Sequence, residues 1–213
     1  MKVDKVEYGG LVFNYRHDTT DWNIIREACG GLNTKYFDVE EGEMWFDIGA
    51  HIGAFTCYAA FKGGYIIAYE PVPNNQKLLY ANILENSLEQ RAEAHYFAIT
   101  KDGRDIQIFI DEQNFGNCSK YDRGNEKFIT VMSKPASMLD KFSNTLGYCI
   151  KIDTEGCEYE ILSSIDLSKV NKLIMEDHYW LIGEEEHAAL TLLILENFPN
   201  VRRHEDYMVY AWR

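Results

Sequence analysis

No run of eighteen apolar residues occurs in this chain, and Met1-Lys2-Val3-Asp4-Lys5 leads into no signal-like apolar segment. The expectation is a soluble, cytoplasmic protein with no membrane partner. Basic residues are scarce: 21 Lys and Arg stand against 34 Asp and Glu, a formal net charge of −13. Nucleic-acid binding draws on clustered Lys and Arg, so an extended phosphate backbone is disfavoured as a substrate. The five cysteines (Cys29, Cys57, Cys118, Cys149, Cys157) are odd in number, and no pair has Cys-x-x-Cys spacing. That pattern indicates neither a disulfide framework nor a zinc site, and it fits small buried hydrophobes in a reducing compartment. Internal repeats and low-complexity tracts are also missing.

What is there suffices for a sizeable core. Hydrophobic residues make up 46% of 213, which fits one domain or one domain with an elaborated edge. An apolar run from Met44 closes in Phe46-Asp47-Ile48-Gly49-Ala50-His51-Ile52-Gly53 and opens into a helix over Ala54–Lys62. This is the pattern of a nucleotide-binding loop, with Gly49 for the sharp turn and Gly53 for a helix start close to a ligand. Phosphates at such a turn would meet the carboxylate of Asp47, which repels them. The acid suits a cofactor with an amino group and a positive sulfur, a description that S-adenosylmethionine meets. Asp47 could also simply cap the helix that follows. A second short strand, Tyr65–Tyr69, ends in Glu70-Pro71. An acid about twenty residues past the glycine loop is placed to hold a ribose diol, and Pro71 stops the strand.

Strand and helix alternate from Met44 onward. Asn74–Asn86 reads as a helix burying Leu78, Leu79, Ile83 and Leu84, and Arg91–Ile99 as a third strand. Tyr148–Asp153 and Lys172–Glu176 read as the fourth and fifth. Short helices are expected over Ala136–Phe142 and Tyr159–Ile165, a longer one over Glu184–Asn197, and final strands near Val201–His204 and Tyr207–Trp212. The fold class is α/β, with a mostly parallel, doubly wound sheet. Two pieces stand outside the alternation. Residues 1–40 carry a hairpin about Gly9-Gly10 and a helix over Trp22–Cys29 capped by Asp21, packing on a core formed by residues 41–213. Within that core, residues 104–131 form an inserted antiparallel hairpin. Its tip, Asn114–Asn125, holds Asn114, Gly116, Asn117, Ser119 and Tyr121, which suit a polyhydroxyl acceptor.

Ligands in open α/β sheets lie beyond the carboxyl ends of the strands. The fourth strand ends Ile152-Asp153-Thr154-Glu155 and the fifth Glu176-Asp177-His178. Asp153, Glu155 and His178 are the candidate catalytic residues. Asp153 or His178 would accept a hydroxyl proton, and Glu155 would orient the acceptor. Asp153 could instead hold the cofactor's amino group. Lys151, a charge in a central strand, needs a partner in Asp47 or Glu176. Asp153 with Asp177 or His178 offers mixed oxygen and nitrogen ligands, yet such acids are common in nucleotide folds, and no metal is assigned. Trp45, Tyr58, Tyr121, Tyr179 and Trp180 are aromatics that could stack on a sugar face or simply pack.

Four passages resemble the FkbM-type methyltransferase family: Phe46–Gly53, Tyr69-Glu70-Pro71, Leu79-Tyr80-Ala81-Asn82, and Lys151-Ile152-Asp153-Thr154-Glu155-Gly156-Cys157-Glu158. Ser137-Met138-Leu139-Asp140 looks like the family's Leu-Asp element. The likeness spans about residues 40 to 180. It implies a class I, Rossmann-like methyltransferase that uses S-adenosylmethionine to methylate hydroxyls of sugars or other small molecules. Carried over by position, Asp47, Gly49, Ala50 and Gly53 would wrap the methionine part. Glu70, followed by Pro71, would bind the ribose, and Ala98 and Ile99 would lie near adenine. His51 departs from the family's usual Asn but should still donate a hydrogen bond to the cofactor. The rival readings are a non-catalytic module of the same fold and a nicotinamide-dependent oxidoreductase. The latter would want glycines where His51 and Ala54 stand.

Overall fold

The computed structural model describes residues 2–122, 124, 127–142, 147–205 and 207–213, apart from the side chain of Asn117. A hairpin comes first, β1 (Val3–Tyr8) and β2 (Leu11–Arg16). Gly9 and Gly10 both have positive φ, which a tight loop between two twisted strands requires. Helix α1 (Asp21–Cys29) follows. Asp21 does not cap it: it is the first helical residue, and its buried carboxylate turns back to Arg16.

The alternating unit then begins with β3 (Met44–Ile48), α2 (Ala54–Phe61), β4 (Tyr65–Tyr69), α3 (Pro73–Glu85) and β5 (Ala92–His95). The one strand expected over Arg91–Ile99 is two. Its partner β4 stops at Tyr69, so beyond His95 the chain has nothing in the sheet to pair with. It continues as β6 (Ala98–Thr100), which leads to the inserted hairpin, β7 (Ile106–Phe109) and β8 (Phe128–Val131). β9 (Ser133–Pro135) then pairs in parallel with β6. A 3-10 turn over Ala136–Lys141 stands where a short helix is expected. The remaining elements are β10 (Tyr148–Ile152), α4 (Glu158–Leu162), β11 (Val170–Glu176), α5 (Tyr179–Ile182), α6 (Glu184–Asn197), β12 (Asn200–His204) and β13 (Met208–Trp212).

Seven strands form one sheet in the order β12-β13-β11-β10-β3-β4-β5. The five on the β5 side run parallel, and β13 runs against both its neighbours. This is a Rossmann-like methyltransferase topology with an N-terminal hairpin and an inserted one. The strand order reverses between β3 and β10, the place where open sheets of this kind bind ligands.

Period-two alternation divides the core between the faces. Trp45, Ile66, Ala68, Cys149 and Ile174 pack with α2, α3 and the N-terminal hairpin and helix. Phe46, Ile48, Ile67, Ile150, Ile152 and Leu173 pack with α4 and α6 on the other side. Leu11, Phe13, Ile25 and Ala28 belong to the first of these layers, so the N-terminal piece shares its core. It is fastened there by asparagines of α3. Asn82 Oδ1 accepts from the Asn14 amide at 2.7 Å and Asn86 Oδ1 from that of Val12 at 2.8 Å, satisfying an otherwise open strand edge. Leu84, expected inside, faces solvent.

Gly53 has φ +82°, and a Cβ there would lie 2.4 Å from Leu79 Cδ1 of α3. This glycine lets α2 and α3 pack closely. Gly53→Ala should therefore destabilise the fold by about 1–3 kcal/mol, through left-handed strain plus overpacking. Urea denaturation of the variant checks this, and an unchanged midpoint would contradict it.

Candidate active site

Two adjoining clefts open above the carboxyl ends of the central strands. The first encloses about 740 Å³, mouth included, and the second about 950 Å³. Ile24, His51, Gly116, Asp153 and Glu155 line both. The first is walled by apolar groups, among them Ile48, Ile99, Ile108 and Phe115, with Glu70 and Asn75 at one end. The second is walled by carboxylates: Glu27, Asp153, Glu155 and Glu176.

The floor between them is a buried charge network that the sheet register dictates. Lys151 and Asp47 are direct partners across β10 and β3, so their side chains emerge on the same face. Lys151 Nζ lies 3.4 Å from Asp47, 3.5 Å from Asp153 and 3.3 Å from the Gly49 carbonyl. Burial works against the ammonium, yet Asp47, Asp153 and Glu176 outweigh it and raise its pKa. Thr56 Oγ1 donates to Asp47 at 2.6 Å and ties α2 to the same carboxylate. Asp47 is therefore neither a helix cap nor part of either cleft wall. It holds the loop from beneath. Gly49 stands directly against the other strand tip: a Cβ there would fall 1.8 Å from the Asp153 carbonyl oxygen.

Glu70 is buried at the end of β4. Its carboxylate accepts from the His51 amide at 2.8 Å, the Val72 amide at 2.9 Å and the Asn75 side chain at 3.2 Å. Burial pushes its pKa up to about 7 against the pull of those donors. Asn75 Oδ1 is buried with no partner among the described residues. An acid and an amide oxygen at one end of an apolar slot suit a ribose, with the slot left for the adenine ring. The residues present thus fit an adenosyl cofactor. Of the positions expected to hold it, Gly49, His51, Glu70, Pro71, Ala98, Ile99 and Asp153 line the first cleft and Ala50 the second, whereas Asp47 and Gly53 line neither. The His51 ring is held from the N-terminal piece, with Arg16 Nη2 at 3.0 Å and Asp21 at 3.4 Å from Nε2. Burial brings its pKa down to about 4, so the ring is neutral at physiological pH.

The KIDTEGCE passage has its own anchor. Glu158 is buried and its Oε1 accepts from the Thr154 amide, the Thr154 hydroxyl and His178 Nδ1, each at 3.0 Å. This fixes the turn in which Glu155 takes φ +53° and Gly156 φ +103°. His178 Nε2 is thereby aimed at Glu155 and Glu176, both at 3.7 Å, and at Asp153 at 3.9 Å. Burial disfavours its charge, but the Glu158 hydrogen bond and the surrounding acids prevail and raise it to about 10. The ring is an imidazolium with no lone pair to offer, which removes the reason for making His178 the proton acceptor. Glu176, raised to about 8 by burial and by Asp153, belongs to the strand tip and to the candidate partners of Lys151 in the sequence, but not to the candidate catalytic residues.

Asp153, Glu176 and His178 bring potential metal-ligand atoms within 4.8 Å of one another. The imidazolium already supplies a positive charge there. Asp177, which the strand-tip pattern offered as a ligand, points away: it is buried against His187 at 2.9 Å and Arg203 at 2.7 Å. The tip of the inserted hairpin reaches the strand ends. Asn114 Oδ1 accepts from the Thr20 hydroxyl at 2.9 Å, Ser119 Oγ donates to the Glu155 carbonyl at 2.9 Å, and the Tyr121 ring covers Gly156. Asn125 lies outside the described residues. Of the aromatics considered for stacking, Trp45 is core, Tyr58 bonds Asp38, and Tyr179 and Trp180 are exposed beside His178.

The model of the methyltransferase FkbM domain matches residues 47–208. No curated protein matches the sequence. Among solved structures, the C-terminal domain of precorrin-6Y C5,15-methyltransferase from Rhodobacter capsulatus is similar at 14% identity and a TM-score of 0.51, covering 94% of this chain and 92% of its own. The precorrin-6y C5,15-methyltransferase from Geobacter metallireducens is similar at 11% identity and a TM-score of 0.50, covering 86% and 87%. At such identities the likeness shows the fold.

The Glu158–His178 pair makes stability depend on pH. The folded pKa of His178, about 10, lies above its ordinary 6.5, and that of Glu158 is held below its ordinary 4.5, so the pair's contribution is complete between about pH 4.5 and 6.5 and is lost as the pH rises through 10. Glu158→Gln should cost about 1–3 kcal/mol within that window and progressively less as the pH rises beyond it. Denaturation of both proteins over this range checks the claim, and a pH-independent difference would contradict it.

Proposed function

The chain belongs to the FkbM family of S-adenosylmethionine-dependent methyltransferases, and we propose that it methylates a hydroxyl of a sugar or a similar polyhydroxylated small molecule. The observation that carries this reading is the second cleft, lined by acids and joined to the first through Asp153 and Glu155. Carboxylates accept hydrogen bonds from hydroxyls, and adjacent hydroxyls match paired carboxylate oxygens. The same wall repels a phosphate or carboxylate brought close to it.

S-adenosylmethionine supplies a transferable methyl group on a positive sulfur. Glu70 and Asn75 would hold its ribose, the apolar slot at Ile99 and Ile108 its adenine, and Gly49, His51 and Asp153 its methionine part. Alignment of the acceptor oxygen is the larger part of such catalysis. Glu155, fixed by the Glu158 turn, would orient the acceptor together with Asp153. Glu176 would take the hydroxyl proton in its ionised form, which becomes the major one as the pH rises through about 8. The His178 imidazolium would keep these carboxylates together. A dinucleotide in the first cleft would set its phosphates against Asp153, Glu155 and Glu70, which weighs against the oxidoreductase reading.

Two measurements test the assignment. Glu70→Ala should weaken S-adenosylhomocysteine by about 1–3 kcal/mol in calorimetry, while Glu176→Gln should leave that affinity nearly intact. In assays against a panel of free sugars and glycosides, Glu176→Gln should lower kcat by about 100-fold or more with little change in KM for the cofactor. Transfer to phosphorylated or acidic acceptors in preference to neutral ones would overturn the substrate class. Full turnover in Glu176→Gln would remove that residue from the chemistry.

A further inference from the structure

Thr20, Asn23, Ile24 and Glu27 all line the second cleft, at the spacing that puts side chains on one face of a helix, so that face of α1 looks into it. Glu27 is half-buried, and its carboxylate has neither a hydrogen bond nor an ion pair among the described residues. Burial and then Asp153 raise its pKa. Asn33, just beyond the helix, lines the same cleft and is 8% exposed. The Leu32 and Asn33 amides both donate to the Glu27 carbonyl, at 3.0 and 3.3 Å, which sets Asn33 beside Glu27. The Asn33 side chain makes no hydrogen bond among the described residues. A polar group so deeply buried is costly to leave unpaired, and this one turns an acceptor and two donors to the cleft.

Charge decides what belongs between these groups. Glu27, Asp153, Glu155 and Glu176 line the cleft, and two cations reach these acids, Lys151 and His178. Each cation already has a further buried carboxylate as a partner, Asp47 for Lys151 and Glu158 for His178. Asp153 and Glu155 also line the first cleft, where the cofactor's positive sulfur would face them. Glu176 has His178 at 3.7 Å. Glu27 is left over. Arg26 beside it is exposed and does not line the cleft. A neutral polyol would satisfy hydrogen bonds here but leave the Glu27 charge unmatched. An ammonium brings three donors and the missing charge together.

Given the reading of the second cleft as the acceptor site, on which this rests, we propose that the acceptor carries an ammonium group, as an amino sugar does, and that Glu27 and Asn33 bind it. The ammonium is the handle held at the α1 wall. The reacting hydroxyl stays with Asp153, Glu155 and Glu176. Glu27 and Asn33 line only the second cleft, so they select the acceptor without touching the cofactor.

The test uses the full chain saturated with S-adenosylhomocysteine, as wild type, Glu27→Gln and Asn33→Ala. Calorimetry follows binding of methyl glucosides with an amine at carbon 2, 3, 4 or 6, each beside its hydroxyl and N-acetyl counterparts. Transfer from S-adenosylmethionine is assayed on the same panel. At least one amine should bind the wild type about tenfold or more tightly than both its neutral counterparts. Glu27→Gln, nearly isosteric, should reduce that preference to about twofold or less while S-adenosylhomocysteine binds as before. Asn33→Ala should weaken the same amine by about tenfold. Neutral sugars bound and methylated as well as the amines would overturn the proposal and leave the sugar assignment standing. A preference that survives Glu27→Gln, or an amine affinity unchanged in Asn33→Ala, would also overturn it. Neither binding nor transfer with any member, charged or neutral, would overturn the sugar assignment itself, and the ammonium handle with it.

Discussion

A single buried ammonium organises this molecule's working end. Lys151 stands in the middle of the sheet, where a lone charge would be prohibitive, and is tolerated because Asp47 lies directly across from it and Asp153 two residues on. The three groups tie the first nucleotide-binding strand to the fourth at the switch point of the sheet. Removing any one would strand the others in the interior. The network also sets where the backbone runs, because the Gly49 carbonyl is one of the ammonium's contacts and the Asp153 carbonyl abuts the Gly49 Cα. The glycine loop after β3 and the acidic strand tip are therefore one unit.

A second charged assembly is built on top of it with the opposite purpose. Glu158 charges His178, and the imidazolium faces three carboxylates at distances too long for direct hydrogen bonds. Positive charge is thus supplied from beneath by Lys151 and from the side by His178, and Asp153, Glu155 and Glu176 between them line the second cleft. The N-terminal piece adds the third wall. Arg16 and Asp21 reach the His51 ring, and Ile24 lines both clefts, so the segment ahead of the first central strand completes the site.

Much of this is legible in the sequence where chemistry is local. The Gly9-Gly10 hairpin, the helix over Glu184–Asn197 and the loop from Asp47 follow from turn residues and periodicity, and the structure places them within a residue or two. The reading fails where the partner is distant. Nothing in the sequence pairs Arg16 with His51, since the contact exists only once the hairpin is laid on the core. Asp177 and His178 look equivalent as neighbours at a strand tip, yet the strand end sends one to Arg203 and the other to the cleft. The split of Arg91–Ile99 depends on where β4 ends, and the charge state of His178 depends on a glutamate twenty residues upstream. Asn82 is a middle case. It is visible as part of a family passage, but its task of holding the Ile52 carbonyl at 2.8 Å and the hairpin edge together appears only in three dimensions.

The account's central claim is that the two clefts are one reaction site, with the cofactor in the apolar one and the acceptor in the acidic one. A crystal structure with S-adenosylhomocysteine tests this most directly. The ribose should contact Glu70 and Asn75, and the sulfur should lie at the wall shared through Asp153 and Glu155, open toward Glu176. A ribose seated away from Glu70, or a sulfur closed off from the acidic cleft, would contradict it.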